Sequence, residues 1–205
     1  MLTTNGQIVY LETGKIFSSF HYKNSSGRSL DNLTGSNQNN LGFGIQFPIN
    51  KSRYQFTCGF AYNRYGAKGS DPILGNYYEW DVSCLGIKAE IGYEFFRPEM
   101  AYNEMHGFSF YPKLSIATEF LINGTQNLND QVYDLKGVEE FDKPFYFLRG
   151  GLGVNYYISK TFIVFLEYMG GTNILIGDYN GKEQLRIRTH NISIGISVNC
   201  KTIFE

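Results

Sequence analysis

The chain has 205 residues and a formal net charge of −1, so it carries neither a basic field that would recruit nucleic acid nor an acidic tail. Tyrosine and phenylalanine supply most of an aromatic content of 17%, which suits rings seated at a boundary between water and lipid. No run reaches the roughly 18 apolar residues of a membrane-spanning helix, whereas a barrel strand needs only about 9–11 residues, half of them apolar.

Apolar residues alternate with small or polar ones in eight segments, which is the pattern of β-strands whose two faces meet different surroundings. Segments 41–47 and 192–198 show this alternation most clearly. Within a single domain, residues 1–205, we predict strands at 8–23, 40–49, 53–64, 77–95, 107–122, 144–158, 161–171 and 183–200. The first strand is predicted to start somewhere between residues 8 and 16.

The first and fourth strands have the least regular alternation. In the fourth, the apolar residues before Ser83 and those from Leu85 onward have opposite parity, which predicts a β-bulge near Ser83 and Cys84 that restores the outward face. The residues predicted to point outward are Ile16, Phe20 and Tyr22 in the first strand, and Tyr78, Trp80 and Val82 in the fourth.

The connections between the predicted strands run long, short, long, medium, long, short, long. Bacterial outer-membrane barrels keep their periplasmic turns short, lengthen their extracellular loops and have an even number of strands. The pattern therefore predicts an all-β fold, a closed antiparallel up-and-down transmembrane barrel of eight strands with both termini in the periplasm. The connection 96–106 is longer than this ordering requires, and the longest loop, 123–143, is acidic.

The two faces of the strands predict which side chains meet lipid and which fill the lumen. Eight strands leave room in the lumen only for side chains, and charges there must pair because isolated buried charges are costly. We expect Lys113 to approach Glu90, and Arg149 to approach Glu119 and Glu167. The predicted lumen network is Lys88, Glu90, Lys113, Glu119, Arg149 and Glu167, and the predicted lipid-facing residues are Phe43, Ile45, Phe56, Phe60, Ile194 and Ile196.

The alternation in segments 41–47, 54–62, 150–156 and 192–198 resembles that of the small eight-stranded bacterial outer-membrane β-barrels, the OmpA and OmpX type, and more closely the PorT-like barrels. The resemblance covers nearly the whole chain and implies a protein of the outer membrane. Such barrels commonly end on an aromatic residue, whereas Phe204 is penultimate here. Residues 1–12 lack the features of a signal peptide, so we expect one to have been removed.

An enzymatic site is considered and not favoured. A lipid-modifying hydrolase or acyltransferase needs a base within hydrogen-bonding distance of its nucleophile, but His190 and Ser193 have opposite parity and lie about 10 Å apart along a strand. His190 is better interpreted as a rim residue that His21 can meet. The acidic loop lacks the ligand spacing of a calcium-binding EF-hand, and the glycines at 150–153 precede no helix that would cradle a phosphate. We predict no catalytic residue, no metal and no cofactor.

The favoured function is therefore a non-enzymatic outer-membrane barrel that serves as a structural or accessory subunit of a larger complex, with recognition through its extracellular loops. Its expected partners are outer-membrane lipid and lipopolysaccharide and other outer-membrane or periplasmic proteins, with no nucleic acid. Arg186 and Arg188 can contact lipopolysaccharide phosphates, although the sequence favours simple solvation. A hydrolase and a soluble calycin-like barrel with an apolar ligand remain alternatives; the latter requires the apolar face inside and Lys88, Glu90 and Arg149 outside.

Overall fold

Eight strands close into an antiparallel ring in the computed structural model, which describes residues 7–23, 27, 29, 33–49, 53–71, 76–96, 107–175 and 184–200. Each strand pairs with its neighbour in the chain, and β1 pairs with β9 to close the ring. The predicted eight-stranded up-and-down barrel is confirmed. The ring consists of β1 (Ile8–Lys23), β2 (Leu33–Pro48), β3 (Tyr54–Asp71), β4 (Asn76–Tyr93), β5 (Gly107–Leu128), β7 (Phe145–Tyr157), β8 (Phe162–Ile174) and β9 (Gln184–Asn199).

The segment between β5 and β7 adds two short elements, β6 (Gln131–Asp134) and the helix α1 (Glu139–Asp142). Strand β6 folds back on the end of β5 as a two-stranded ribbon. The predicted acidic loop 123–143 is therefore partly ordered secondary structure. Within the described part of the chain, no helix is long and apolar enough to cross a bilayer.

The two ends of the barrel differ. Strands β1, β3, β5 and β8 finish at one end, which we call the loop end; the opposite end is the turn end. At the loop end β2 starts at residue 33, β3 continues to 71 and β5 continues to 128, well beyond the predicted limits, because backbone pairing persists where the sequence no longer alternates. Residues 1–6, 97–106 and 201–205, and with them Phe204 and most of the irregular connection 96–106, lie outside the described residues.

The outer surface of the barrel is apolar. All six predicted lipid-facing residues are exposed, with Phe43 at 54% and Ile194 at 55%, whereas Lys88 and Glu90 are buried. A soluble barrel would have the opposite arrangement, so the calycin-like alternative is wrong. A continuous exposed apolar band of this kind is typical of a membrane-spanning barrel.

Strand β1 has the opposite orientation to the one predicted. Ile16 and Phe20 are buried inside the barrel and Tyr22 is half-buried, whereas Val9 and Phe17 are exposed. Near the loop end the inner face of this strand is apolar, because the barrel interior is itself apolar there, and the outer face carries Ser19, His21 and Lys23. The rule that the apolar face points outward therefore gave the wrong orientation for this strand.

The predicted orientation of β4 at the loop end was wrong for the same reason. Trp80 and Val82 are buried and lie on the same inward face as Lys88 and Glu90, so the strand has no change of parity. Tyr78 is partly buried and packs against the interior. These residues form part of the core, and no bulge turns them toward lipid.

An irregularity does occur beside Ser83 and Cys84, but the extra residue belongs to β5. Ser83 pairs with Asn123 and Cys84 pairs with Leu121, which leaves Ile122 without a partner on β4. The register between β3 and β4 is continuous through this region. The bulge therefore bends β5 where it begins to extend beyond the apolar band.

An apolar cluster fills the loop end of the lumen. Two of its members, Leu135 and Phe141, come from the segment that follows β6, so this connection folds inward over the barrel. The apolar cluster comprises Ile16, Phe20, Tyr65, Ala67, Trp80, Val82, Cys84, Ala117, Leu135, Phe141, Phe145, Phe147, Leu185 and Ile187.

Candidate functional site

The middle of the lumen holds alternating charges. Lys88 Nζ lies 2.6 Å from a carboxylate oxygen of Glu12 and 3.2 Å from one of Glu90. All three side chains are nearly inaccessible to solvent. Glu12 was not among the predicted lumen residues, because the orientation of β1 was predicted the wrong way round. Glu12 lies two residues from Tyr10, and both side chains point into the lumen.

Lys113 bridges two carboxylates on opposite sides. Its Nζ lies 3.4 Å from Glu90 and forms a second ion pair with Glu167. The Tyr111 hydroxyl donates a hydrogen bond of 3.1 Å to Glu167. The structure thus places Lys113 beside Glu90, as expected, but it places Glu167 beside Lys113 and not beside Arg149, because the stagger of the strands sets Glu167 nearer the turn end.

Arg149 forms a second polar centre, closer to the loop end. Its guanidinium donates to Glu119 at 2.7 Å and to the Tyr65 hydroxyl at 2.8 Å, and that hydroxyl donates to Glu119 at 2.6 Å. Asn63 donates to the same carboxylate at 2.9 Å. The guanidinium carbon also lies 4.0 Å from the ring centroid of Phe147, so this centre adjoins the apolar cluster directly.

A third polar group surrounds Glu94 at the turn end. This buried carboxylate accepts hydrogen bonds from Ser109 at 2.5 Å, Gln55 at 3.2 Å and Asn155 at 3.4 Å, and also from the Tyr157 hydroxyl. Donors on β3, β5 and β7 thus converge on one residue, which satisfies a charge that would otherwise be costly to bury.

These layers leave little space in the lumen. A cavity among Tyr10, Tyr111, Lys113 and Phe165 has a volume of about 20 Å³, which holds about one water molecule. The apolar cluster lies between this cavity and the loop end, and the Glu94 group lies between it and the turn end. The described interior therefore contains ion pairs, hydrogen bonds and packed rings across its whole height.

Glycines on β7 allow large side chains to approach the wall. A Cβ atom on Gly153 would lie 2.1 Å from the ring of Tyr111, and one on Gly151 would lie 2.6 Å from Met169 Sδ. Both glycines are inside a strand, so the segment does not form a phosphate-binding loop. Gly153 admits Tyr111 to the position where it bonds Glu167.

The pair considered for a hydrolytic site, His190 and Ser193, is not assembled. His190 Nδ1 lies 2.6 Å from the Tyr168 hydroxyl on the outer face, whereas Ser193 is buried on the inner face and accepts a hydrogen bond from Asn40. His21 pairs in register with Arg186, and His190 with Phe17, so the two histidines do not meet. Within the described residues, no group of three or more His, Cys, Asp or Glu is arranged to hold a metal ion.

The outer face at the loop end has two different charge arrangements. On the β3–β4 wall each cation has an anion: Arg64 lies 2.5 Å from Asp81, and Lys68 lies 2.7 Å from Glu79. The hydrogen bond to Glu79 raises the pKa of Lys68. On the β9–β1 wall four basic side chains are exposed at the loop end, and none of them has such an anion beside it among the described residues; they are His21, Lys23, Arg186 and Arg188.

Comparison with solved structures relates this ring to membrane barrels. The outer membrane protein OprG from Pseudomonas aeruginosa has a TM-score of 0.52 at 14% identity, with 95% of this chain and 97% of that chain covered. The chain has the fold of a bacterial outer-membrane β-barrel. No protein-family model and no curated protein sequence matches it.

Two further barrels are similar over almost their full lengths. Neisserial surface protein A has a TM-score of 0.49 at 15% identity and covers 93% of this chain and 96% of its own. The outer membrane protease OmpT from Escherichia coli has a TM-score of 0.48 at 8% identity, with 96% and 97% covered.

Proposed function

We propose that this protein is a non-enzymatic outer-membrane barrel, a structural or accessory subunit that binds other envelope proteins through its loop end and conducts no solute. The observation that carries the proposal is the filled lumen. The Lys88 and Lys113 ion pairs, the Arg149 centre and the apolar cluster occupy the path that a pore would need. The outward position of His190 and the inward position of Ser193 support the non-enzymatic part.

The proposed orientation places the loop end outside the cell. Strands of 16–22 residues such as β1, β3 and β5 exceed the roughly 9–11 residues that a bilayer requires, and the excess lies at the loop end. There the β5–β6 ribbon presents Val132 and Tyr133, which are 67% and 47% exposed. Apolar side chains exposed beyond the lipid-facing band favour contact with a protein partner.

In planar bilayers, the purified protein is expected to show no stable conductance steps, because ion pairs, hydrogen bonds and packed rings fill the lumen that the described residues enclose. Single-channel recording over a range of voltages measures this, with a general porin incorporated under the same conditions as the positive control. Large and stable conductance steps would contradict the sealed lumen.

Capture of the tagged full-length protein from detergent extracts of native membranes is expected to recover a stoichiometric protein partner. Val132→Ser should reduce this recovery by about tenfold, because an interface residue of this kind can contribute more than 1 kcal/mol. Ile158→Ser serves as the matched control, since Ile158 is exposed at the turn end. An equal loss with both variants, or no stoichiometric partner, would count against recognition through the loop end.

A further inference from the structure

A group of basic side chains lies on the outer face of the barrel near the loop end. We define the basic patch as His21 and Lys23 on β1 with Arg186 and Arg188 on β9. His21 and Arg186 face each other in the β1–β9 register, and Arg186 and Arg188 are successive outward residues of one strand, about 7 Å apart. They line a cleft of about 490 Å³ together with residues that belong to the interior or pack against it, among them Phe20, Tyr22 and Leu33.

On the part of this wall that the structure describes, the basic patch has no anionic neighbour. The described residues of β8, β9, β1 and β2 include two carboxylates, Glu12 and Glu167, and both are buried in the lumen. None of the four basic residues forms a salt bridge with any described residue. Lys23 pairs with Gln184 and lies diagonally from Arg186, and Arg188 is the next outward residue of β9. Because these like charges are near neighbours, an external anion would stabilise this arrangement.

The β3–β4 wall provides the internal comparison. Its outward cations, Arg64 and Lys68, are each neutralised by a carboxylate on the neighbouring strand. The two walls lie at the same end of one barrel, yet only one of them lacks counter-charges. Simple solvation of the basic patch explains neither this asymmetry nor the concave shape that the four residues share.

The position of the basic patch along the barrel indicates which ligand it would bind. Phe17, which is exposed on β1, pairs with His190, and Arg188 lies two residues further toward the loop end, about 7 Å along the strand. The patch therefore begins just beyond Phe17, the last exposed apolar residue of β1, at the level that we assign to the lipid headgroups. Arginine binds phosphate through two parallel hydrogen bonds.

We propose that the basic patch binds the phosphate groups of the lipopolysaccharide in the outer leaflet. This inference rests on the proposed placement of the loop end outside the cell, and it adds a specific lipid ligand to that placement. The apolar residues below the patch would contact the acyl chains of the same lipid, so one molecule would span both surfaces.

Binding of diphosphorylated lipid A to the full-length protein in zwitterionic detergent micelles tests the proposal. The double variant Arg186→Gln/Arg188→Gln is expected to bind at least about tenfold more weakly than the wild type, because it loses two charge-assisted contacts. The matched control, Arg64→Gln/Lys68→Gln, removes the same number of cations from the β3–β4 wall and should bind like the wild type. Lipid A from which both phosphates have been removed should bind the wild type as weakly as diphosphorylated lipid A binds the double variant.

Three results would overturn the proposal: equal weakening by the two double variants, equal binding of the dephosphorylated lipid, or equally tight binding of inorganic phosphate alone. The last would assign the patch to a free anion. Heat-modifiable gel mobility of each variant reports that the barrel is intact. Loss of lipid binding with retained heat modification is therefore distinct from failure of the membrane-barrel proposal itself.

Discussion

Lys113→Met is expected to lower the free energy of unfolding by about 3–5 kcal/mol, the usual cost of removing one partner from a buried ion pair. Lys113 lies between Glu90 and Glu167, and its side chain is only 10% exposed. Methionine keeps most of the volume but leaves two buried carboxylates without their shared cation. Urea unfolding in detergent micelles measures the change, with fluorescence of the single tryptophan, Trp80, as the signal.

The same substitution at Lys68 provides the control. Its pair with Glu79 is solvent-exposed, so Lys68→Met should change the free energy of unfolding by no more than about 1 kcal/mol. Adding Glu167→Gln to Lys113→Met should recover part of the lost stability, since it neutralises the carboxylate that has lost its cation, whereas Glu90 keeps its ion pair with Lys88. Equal effects of the two methionine variants would mean that the Lys113 network is well hydrated and contributes little to the fold.

Ile194→Arg should destabilise the barrel by about 2–4 kcal/mol in lipid vesicles, because it places a guanidinium among acyl chains near the bilayer centre. Ile194 points outward in the middle of β9 and is paired with Leu166 and Thr13 on the adjacent strands. Unfolding in urea from preformed vesicles measures the loss.

A matched arginine at the loop end separates burial in lipid from any general effect of the new charge. Thr34 is exposed at the start of β2, above the apolar band, so Thr34→Arg should cost about 0–1 kcal/mol. If both arginines cost the same, the apolar band does not lie in the hydrocarbon core, and the assignment of the outer face to lipid is wrong.

Pairing of the lumen charges was only partly accessible to prediction. Parity alone assigned Lys88, Glu90, Lys113, Glu119, Arg149 and Glu167 to the inside, and the structure places all six there or at its margin. Which acid meets which base depends on the stagger of strands around the ring, and that stagger is a property of the closed barrel. Arg149 accordingly meets Glu119 and Tyr65, while Glu167 meets Lys113.

The contact between His190 and Tyr168 shows the same dependence on register. The two residues are 22 positions apart in the chain. They meet because Tyr168 pairs with Ile192, the outward residue next to His190 on β9. The predicted meeting of His21 with His190 failed because the β1–β9 register sets Arg186 opposite His21. The basic patch likewise became visible only when the absence of outward carboxylates on the described parts of four neighbouring strands could be seen.

By itself the sequence determined that this chain forms eight strands with an apolar outer face and a charged lumen, because a side-chain period of two survives in any β-sheet whose two faces meet different media. Only the tertiary structure decided the orientation of Ile16, Phe20, Trp80 and Val82. Those residues lie where the interior is apolar and the outward neighbours, among them His21, Glu79 and Asp81, are polar, so the local pattern is the reverse of the one in the apolar band. Their direction is set by pairing with the rest of the ring, which a local pattern does not contain.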